Sequence, residues 1–87
     1  MKAKLYLCKA TGVWFLQFRT DRIKFSEKET CDIKYWCEYF TRYHGLWVSQ
    51  SDDYDDFKAF VFETENQSRV LYVSELICKA LDCELEL

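Results

Sequence analysis

Only two residues in this chain, Gly12 and Gly45, lack a side chain, and the sequence contains no proline. Because glycine adopts positive φ angles at no steric cost, these two positions are the natural places for a tight turn and for a helix end. Gly12 lies between two segments rich in aromatic and branched residues, 4–9 and 13–19, which predicts a β-hairpin. Gly45 follows a stretch of helical periodicity, so we expect it to end a helix.

A helix is predicted between these two glycines. Residues 26–29 read Ser-Glu-Lys-Glu, the pattern of a capping box, in which the serine hydroxyl and the later carboxylate each accept a hydrogen bond from a free backbone N–H. Four apolar side chains and one histidine then recur at helical spacing and are expected to face the core. They are Ile33, Trp36, Cys37, Phe40 and His44. Just before the helix, residues 22–25 are expected to form a short strand.

The second half of the chain repeats this order around an acidic turn. Strands are predicted over 46–50 and 57–63, and the polar segment 51–56 joins them. Because successive side chains of a strand point to opposite faces, Phe60 and Phe62 are expected to share one face of the sheet. Ala59 and Val61 then lie on the other.

Residues 69–73 allow two interpretations. They form either a strand, followed by a helix over 75–83 that Ser74 caps, or the first part of one helix that starts at Ser68. Both interpretations give the same fold class, an α+β domain over residues 1–87. It consists of an antiparallel sheet of four to six strands with two helices on one face, in the order ββ(β)αββ(β)α.

The predicted strand 13–19 is apolar on both of its faces. Val13 and Phe15 alternate with Trp14, Leu16 and Phe18, whereas a half-solvated strand alternates apolar with polar side chains. The face without helices is therefore covered in one of two ways. Either the stems of Lys and Arg side chains and the chain ends cover it, or a partner protein or a second copy of this chain does.

Membrane and export signals are missing from the sequence. Its longest unbroken apolar runs, such as 13–16, span four residues, whereas a membrane helix needs about 20. No apolar segment of signal-peptide type follows Met1, so we expect a cytoplasmic protein, in the host cell if a phage encodes it. The five cysteines contain no Cys-x-x-Cys pair, which disfavours a zinc site and predicts reduced thiols.

Catalytic chemistry is disfavoured by the lack of a suitable set of residues. The only histidine, His44, falls at the predicted helix end, where a structural role is expected. A thiol nucleophile on Cys31 or Cys37 would need that imidazole within hydrogen-bonding reach, and no orienting acid is near it in sequence. The sequence therefore predicts a protein that is not an enzyme and has no cofactor or metal.

The acidic residues are concentrated in the second half of the chain. Residues 1–44 contain nine basic and five acidic side chains, whereas residues 45–87 contain three basic and ten acidic ones. If the two halves also separate in space, one surface attracts cationic partners and another attracts anionic ones. The densest acidic cluster is 52–56, and Glu63 and Glu65 add to the charge of this half.

Segment 52–56 has three interpretations. It is a solvated hairpin tip, because four carboxylates repel one another and stay in water. It is a calcium loop, although the mid-loop glycine and bidentate glutamate of an EF-hand are missing. Or it is a loop that binds a basic surface, with a tyrosine ring as a rigid anchor. The candidate contact residues are Asp52, Asp53, Tyr54, Asp55 and Asp56, together with Glu63 and Glu65.

A second candidate set lies on the predicted first helix. Projection at 100° per residue places Tyr35 and Tyr39 away from the apolar stripe and next to Arg42. Tyrosine and arginine are enriched in binding hot spots, so Tyr35 and Tyr39 are candidate partner contacts. The alternative is that a chain with 18% aromatic residues exposes some rings without a binding role.

These features predict a non-enzymatic protein-binding module. Its acidic segment would occupy a basic surface on a protein partner, and such a surface is often a nucleic-acid channel. The most concrete version is an inhibitor of a nucleic-acid-processing complex, of the anti-CRISPR or anti-restriction type that phages encode. The alternative is a single-stranded nucleic-acid-binding protein, which the net charge of −3 disfavours. Its contacts would be Trp14, Arg19, Arg22, Lys24, Tyr35, Tyr39 and Arg42.

Overall fold

The turn at Gly12 joins the first two strands, as the sequence predicts. In the computed structural model, which describes residues 1–87, β1 (Lys2–Cys8) and β2 (Val13–Arg19) pair antiparallel. Gly12 has a φ of 73°, and its N–H donates to the carbonyl of Cys8 at 2.8 Å. Glycine is favoured here because residues that carry a Cβ atom rarely adopt this backbone conformation.

The predicted capping box begins the first helix, α1 (Glu27–Tyr43). The N–H of Glu29 donates to Oγ of Ser26 at 3.1 Å, and the N–H of Ser26 donates to Oε1 of Glu29 at 2.9 Å. This second bond is the main reason that the pKa of Glu29 is lowered. Gly45, with a φ of 67°, follows the end of the helix, so both predicted boundaries are confirmed.

Five strands form one sheet in the order β3-β4-β2-β1-β5. β3 (Val48–Asp53) and β4 (Phe57–Phe62) form the second hairpin, α2 (Gln67–Leu81) follows, and β5 (Glu84–Glu86) ends the chain. β4 pairs with β2, and all neighbours run antiparallel except β5, which runs parallel to β1. The α+β class with two helices on one face is confirmed, and β5 adds a parallel strand that the sequence did not predict.

The short strand predicted over 22–25 does not form. This segment is irregular, because the backbone at Thr20 and Phe25 donates hydrogen bonds to the β3–β4 turn and not to a neighbouring strand. The N–H of Phe25 donates to the carbonyl of Asp55 at 2.7 Å, and the N–H of Thr20 donates to that of Asp56 at 3.2 Å. The Phe25 side chain is buried, so this segment closes one end of the core.

Two other boundaries differ from the prediction. The third strand, predicted over 46–50, starts later and runs on to Asp53, so the first two residues of the acidic segment belong to β3. Residues 69–73 are helical, because α2 begins at Gln67 and the side chain of Asn66 caps it by accepting from the N–H of Arg69 at 3.2 Å. The strand interpretation of 69–73 is therefore wrong, and the single-helix interpretation is close to the observed start.

The core lies between the sheet and the two helices. On α1, Ile33 and Cys37 are fully buried as predicted, but Thr41 is buried as well, while Trp36 and Phe40 are only partly buried. Thr41 is tolerated there because its hydroxyl donates to the carbonyl of Cys37 one turn earlier. The sheet contributes buried side chains to this core, namely Leu5, Leu16, Phe18, Phe60 and Phe62. α2 contributes Val70, Val73 and Ile77.

We expect Ser26→Ala to lower the free energy of unfolding by about 1 kcal/mol. The substitution removes the acceptor for the Glu29 N–H and leaves a free donor in the first turn of α1. Urea denaturation followed by circular dichroism measures the change. Ser49→Ala is the matched control, because Ser49 is exposed on β3 and does not cap a helix. Equal effects of the two substitutions would contradict the capping role.

Candidate functional site

The acidic tip, defined as Asp52, Asp53, Tyr54, Asp55 and Asp56, comprises the last two residues of β3 and the turn that joins it to β4. Its backbone is held at three points. The N–H of Tyr54 donates to the carbonyl of Phe57 at 2.8 Å, and the carbonyls of Asp55 and Asp56 accept from the segment before α1. A turn held in this way presents its side chains in a fixed arrangement.

One carboxylate of the acidic tip is neutralised from inside the chain. Lys58 is 5% exposed, and its Nζ contacts the carboxylate of Asp53, lies 3.4 Å from the carbonyl of Tyr54 and is 5.6 Å from the centre of the Phe25 ring. Burial of a lysine is costly unless its charge is paired, so this contact is structural. Asp52, Asp55 and Asp56 form no ion pair, and Tyr54 is 61% exposed.

The basic and acidic halves of the sequence do not separate in space at this tip. Its carbonyls are bound by the segment over 20–25, which carries Arg22 and Lys24. Arg22 is paired with Glu29 on α1. The tip is therefore a local patch of three unpaired carboxylates next to basic residues from the first half of the chain.

Glu63 and Glu65 do not join the acidic tip. They follow the opposite end of β4, which places them about 20 Å from Asp56 at the rise of an extended strand. The N–H of Glu63 donates to the carbonyl of Trp47 at 3.0 Å. The side chain of Glu65 lies next to the Gly12 turn. These two carboxylates would have to meet a different part of any partner.

A second surface, the tyrosine ridge, consists of Tyr35, Tyr39 and Tyr43 on the solvent side of α1. These rings are 58%, 47% and 75% exposed. Successive rings stack nearly parallel, with centroids 6.1 and 6.3 Å apart and interplanar angles of 14° and 9°. The exposure predicted for Tyr35 and Tyr39 is confirmed, and Tyr43 extends the row by one more turn.

The tyrosine ridge is supported from behind by rings that reach into the core. Trp36 and Phe40 contact Tyr39 edge-on, with centroids 5.6 and 5.2 Å away and interplanar angles of 83° and 86°. Both also pack against the buried cluster. The central tyrosine is thus held in place by two side chains that cannot easily move, which favours a rigid contact surface.

The Cys–His pair that a thiol enzyme needs is not assembled. His44 caps α1 and sits edge-on between the rings of Tyr43 and Tyr72, with centroids 5.1 and 5.4 Å away. Cys37 lies seven residues earlier in the same helix, about 10 Å along its axis, and burial raises the pKa of its thiol. Cys31 lies farther still and is exposed.

All five cysteines are free thiols. Cys78 and Cys83 lie close together at the end of α2, where a hydrogen bond between them lowers the pKa of Cys83 and raises that of Cys78. The backbone supports this arrangement, since the N–H of Cys83 donates to the carbonyl of Cys78 at 3.0 Å. No three His, Cys, Asp or Glu side chains converge where they could hold a metal ion.

The residues proposed for nucleic-acid binding do not share one surface. Trp14 packs against the core on the helix side of the sheet, whereas Arg19 lies on the other face, over the ring of Phe57 at 5.1 Å. Tyr35, Tyr39 and Arg42 belong to the outer side of α1. A single strand could not contact these three places together without bending around the domain.

The uncovered face of the sheet carries both signs of charge. No helix packs on it, and its centre is formed by the rings of Tyr6 and Phe15, which stack at 5.2 Å. A cleft of about 530 Å³ opens at one end of this face. Basic and acidic side chains both line the cleft, namely Lys2, Lys4, Arg19, Asp21 and Glu86. The two carboxylates within the cleft would repel a polyanion such as nucleic acid.

Comparison with known proteins identifies no relative. No protein-family model matches the chain, and no curated protein or solved structure matches it. None of its helices combines the length and the apolar character needed to cross a membrane. Function must therefore come from the chemistry of the surfaces, because a fold by itself does not specify one.

The exposure of three aromatic residues, Tyr43, Trp47 and Tyr72, was not predicted from the sequence. Tyr43 follows Tyr39 by four residues, so the helical spacing that predicts Tyr35 and Tyr39 on one face also places Tyr43 there. Trp47 is 72% exposed, between the helix end and β3. The sequence predicts Trp47 within the strand 46–50, but β3 starts at Val48, so Trp47 lies in the connection before it. The carbonyl of Trp47 accepts from the N–H of Glu63 at 3.0 Å.

Proposed function

We propose that this protein is a non-enzymatic protein-binding module that presents its acidic tip to a basic surface on another protein. The observation that carries the proposal is the fixed tip, with three unpaired carboxylates and one exposed ring. Asp52, Asp55 and Asp56 supply the charge, and Tyr54 supplies the apolar anchor.

The restraint of the tip supports this role energetically. A flexible acidic loop would lose conformational freedom on binding, and that loss weakens association. Here the hydrogen bonds from Thr20 and Phe25 order the loop before a partner arrives. Carboxylates at the edge of an interface mainly accelerate encounter and select partners, whereas a buried aromatic ring contributes most of the affinity.

The most specific form of the proposal is an inhibitor that occupies a nucleic-acid channel, of the anti-CRISPR or anti-restriction type. Such channels are lined by Lys and Arg that bind phosphates. Three carboxylates at the end of one hairpin, on Asp52, Asp55 and Asp56, offer negative charge to those side chains. In this form, the partner and a nucleic acid compete for the same basic surface.

A charge-neutralising variant tests the proposal. Asp52→Asn, Asp55→Asn and Asp56→Asn are combined, and Asp53 is kept because it pairs with buried Lys58. The protein is immobilised, proteins are captured from source-cell lysate at low and moderate salt, and the captured partner is identified by mass spectrometry. We expect the triple variant to bind that partner about tenfold more weakly at low salt, with a smaller difference at moderate salt.

The matched control combines Glu63→Gln, Glu65→Gln and Glu84→Gln, which changes the net charge equally but leaves the tip intact. It should bind the partner like the natural chain. Addition of duplex DNA or RNA should displace the captured partner if its basic surface is a nucleic-acid channel. Equal binding by both triple variants would exclude the tip as the contact, and undisturbed capture in excess nucleic acid would exclude only the inhibitor form.

A further inference from the structure

We propose that the tyrosine ridge is the interface of a symmetric homodimer, in which α1 packs antiparallel against α1 of a second copy. The two-fold axis of this dimer passes at the level of Phe40, midway between Glu38 and Arg42 along α1. The proposal concerns a different surface from the acidic tip and does not depend on the function proposed for it. Three adjacent exposed rings on one helix form a contiguous apolar patch of the kind that marks an interaction site.

The spacing of the ridge fits a helical partner. Tyr35, Tyr39 and Tyr43 repeat every four residues, and their rings lie 6.1 and 6.3 Å apart. Helices pack by placing such rows of every fourth side chain into the grooves between the rows of another helix. Four residues of any α-helix rise about 6 Å, so a partner helix matches this spacing along its whole contact.

The even spacing of the ridge also allows α1 of a second copy to be the partner helix. A two-fold axis at the level of Phe40 sets Glu38 of one copy opposite Arg42 of the other, and the tyrosines of the two copies then alternate about 3 Å apart along the helix axis. An interface between identical subunits must be self-complementary in this way. An evenly spaced row satisfies that condition, because the rings of each copy fill the gaps of about 6 Å between the rings of the other.

The charges beside the ridge are also self-complementary. Glu38 and Arg42 lie on the same side of Tyr39 and line a shallow groove with the three rings. Both are exposed, and neither belongs to an ion pair within the chain, although they are four residues apart. In the antiparallel pair, Glu38 of each copy faces Arg42 of the other, which gives two equivalent ion pairs across the axis.

Charge exchange between these two positions tests both the dimer and its direction. We expect the natural chain to show a reversible monomer–dimer equilibrium in sedimentation velocity over a concentration series. Glu38→Arg or Arg42→Glu alone should weaken dimerisation about tenfold or more, because each places like charges opposite each other twice. The double variant with both substitutions should regain the association constant of the natural chain to within about threefold.

Mixing the two single variants gives the sharpest result. Each one fails to pair with itself, but in a heterodimer every contact between positions 38 and 42 is again between opposite charges. The mixture should therefore dimerise about as tightly as the natural chain, whereas each component alone stays monomeric. Lys34→Glu is the control, since Lys34 is exposed on α1 but does not line the groove, and it should dimerise normally.

Three results would overturn the proposal. One is a natural chain that remains monomeric at the highest concentration. Another is a dimer that neither single variant weakens, which would place the interface elsewhere. The third is a failure of the mixed variants to associate, which would exclude the antiparallel contact. Loss of dimerisation leaves the acidic tip intact, so partner capture by the tip can succeed or fail separately.

Discussion

Phe18→Ala is expected to lower the free energy of unfolding by about 3 to 5 kcal/mol. Phe18 is fully buried between the sheet and the helices, and its ring meets that of Phe60 edge-to-face, with centroids 6.1 Å apart and an interplanar angle of 81°. Alanine would leave a cavity that a sheet hydrogen-bonded on both sides of β2 cannot close. A domain of this kind is stable by about 5 to 15 kcal/mol, so the loss would take a large share of the total.

Phe15→Ala is the matched control for this prediction. Phe15 belongs to the same strand but lies on the uncovered face, half-buried and stacked on Tyr6. Its loss should cost about 1 to 2 kcal/mol, from partial burial and the aromatic pair. Urea denaturation at low protein concentration measures both changes. Similar decreases in the free energy of unfolding at the two positions would mean that both faces of the sheet are covered, which would contradict the uncovered face at Phe15.

The parts of the fold that could be predicted depend on interactions between neighbours in sequence. The Gly12 turn and the capping box of Ser26 and Glu29 each involve residues within four positions of one another. Their side-chain chemistry is therefore visible in the sequence itself. The exposure of Tyr35 and Tyr39 is similar, because the helical period alone places them opposite the buried side.

The parts that could not be predicted depend on contacts between distant segments. β5 exists because Leu85 reaches β1, more than eighty residues earlier, and no local pattern in three residues predicts a strand. Lys58 is buried because Asp53 and the ring of Phe25 surround it. For the same reason, the sum of charges in each half of the chain did not show that the acidic tip would lie next to Arg22 and Lys24.

Glu75→Pro is expected to lower the free energy of unfolding by about 3 kcal/mol or more. Glu75 is exposed and lies in the middle of α2, which runs without interruption from Gln67 to Leu81. Proline there removes one helical hydrogen bond, and its ring clashes with the carbonyl of Leu71. Because the side chain is at the surface, almost none of this loss would come from packing.

The same substitution decides between the two interpretations of residues 69–73. If Ser74 capped a shorter helix, Glu75 would be its first residue, where proline is favoured because its missing N–H is not needed and its φ is already helical. Stability would then stay the same or rise. Glu75→Ala removes the same side chain while keeping the backbone N–H, and should change stability by less than about 0.5 kcal/mol in either case. A large loss with proline and none with alanine, measured by urea denaturation, requires the continuous α2; equal stability of the two variants would contradict it.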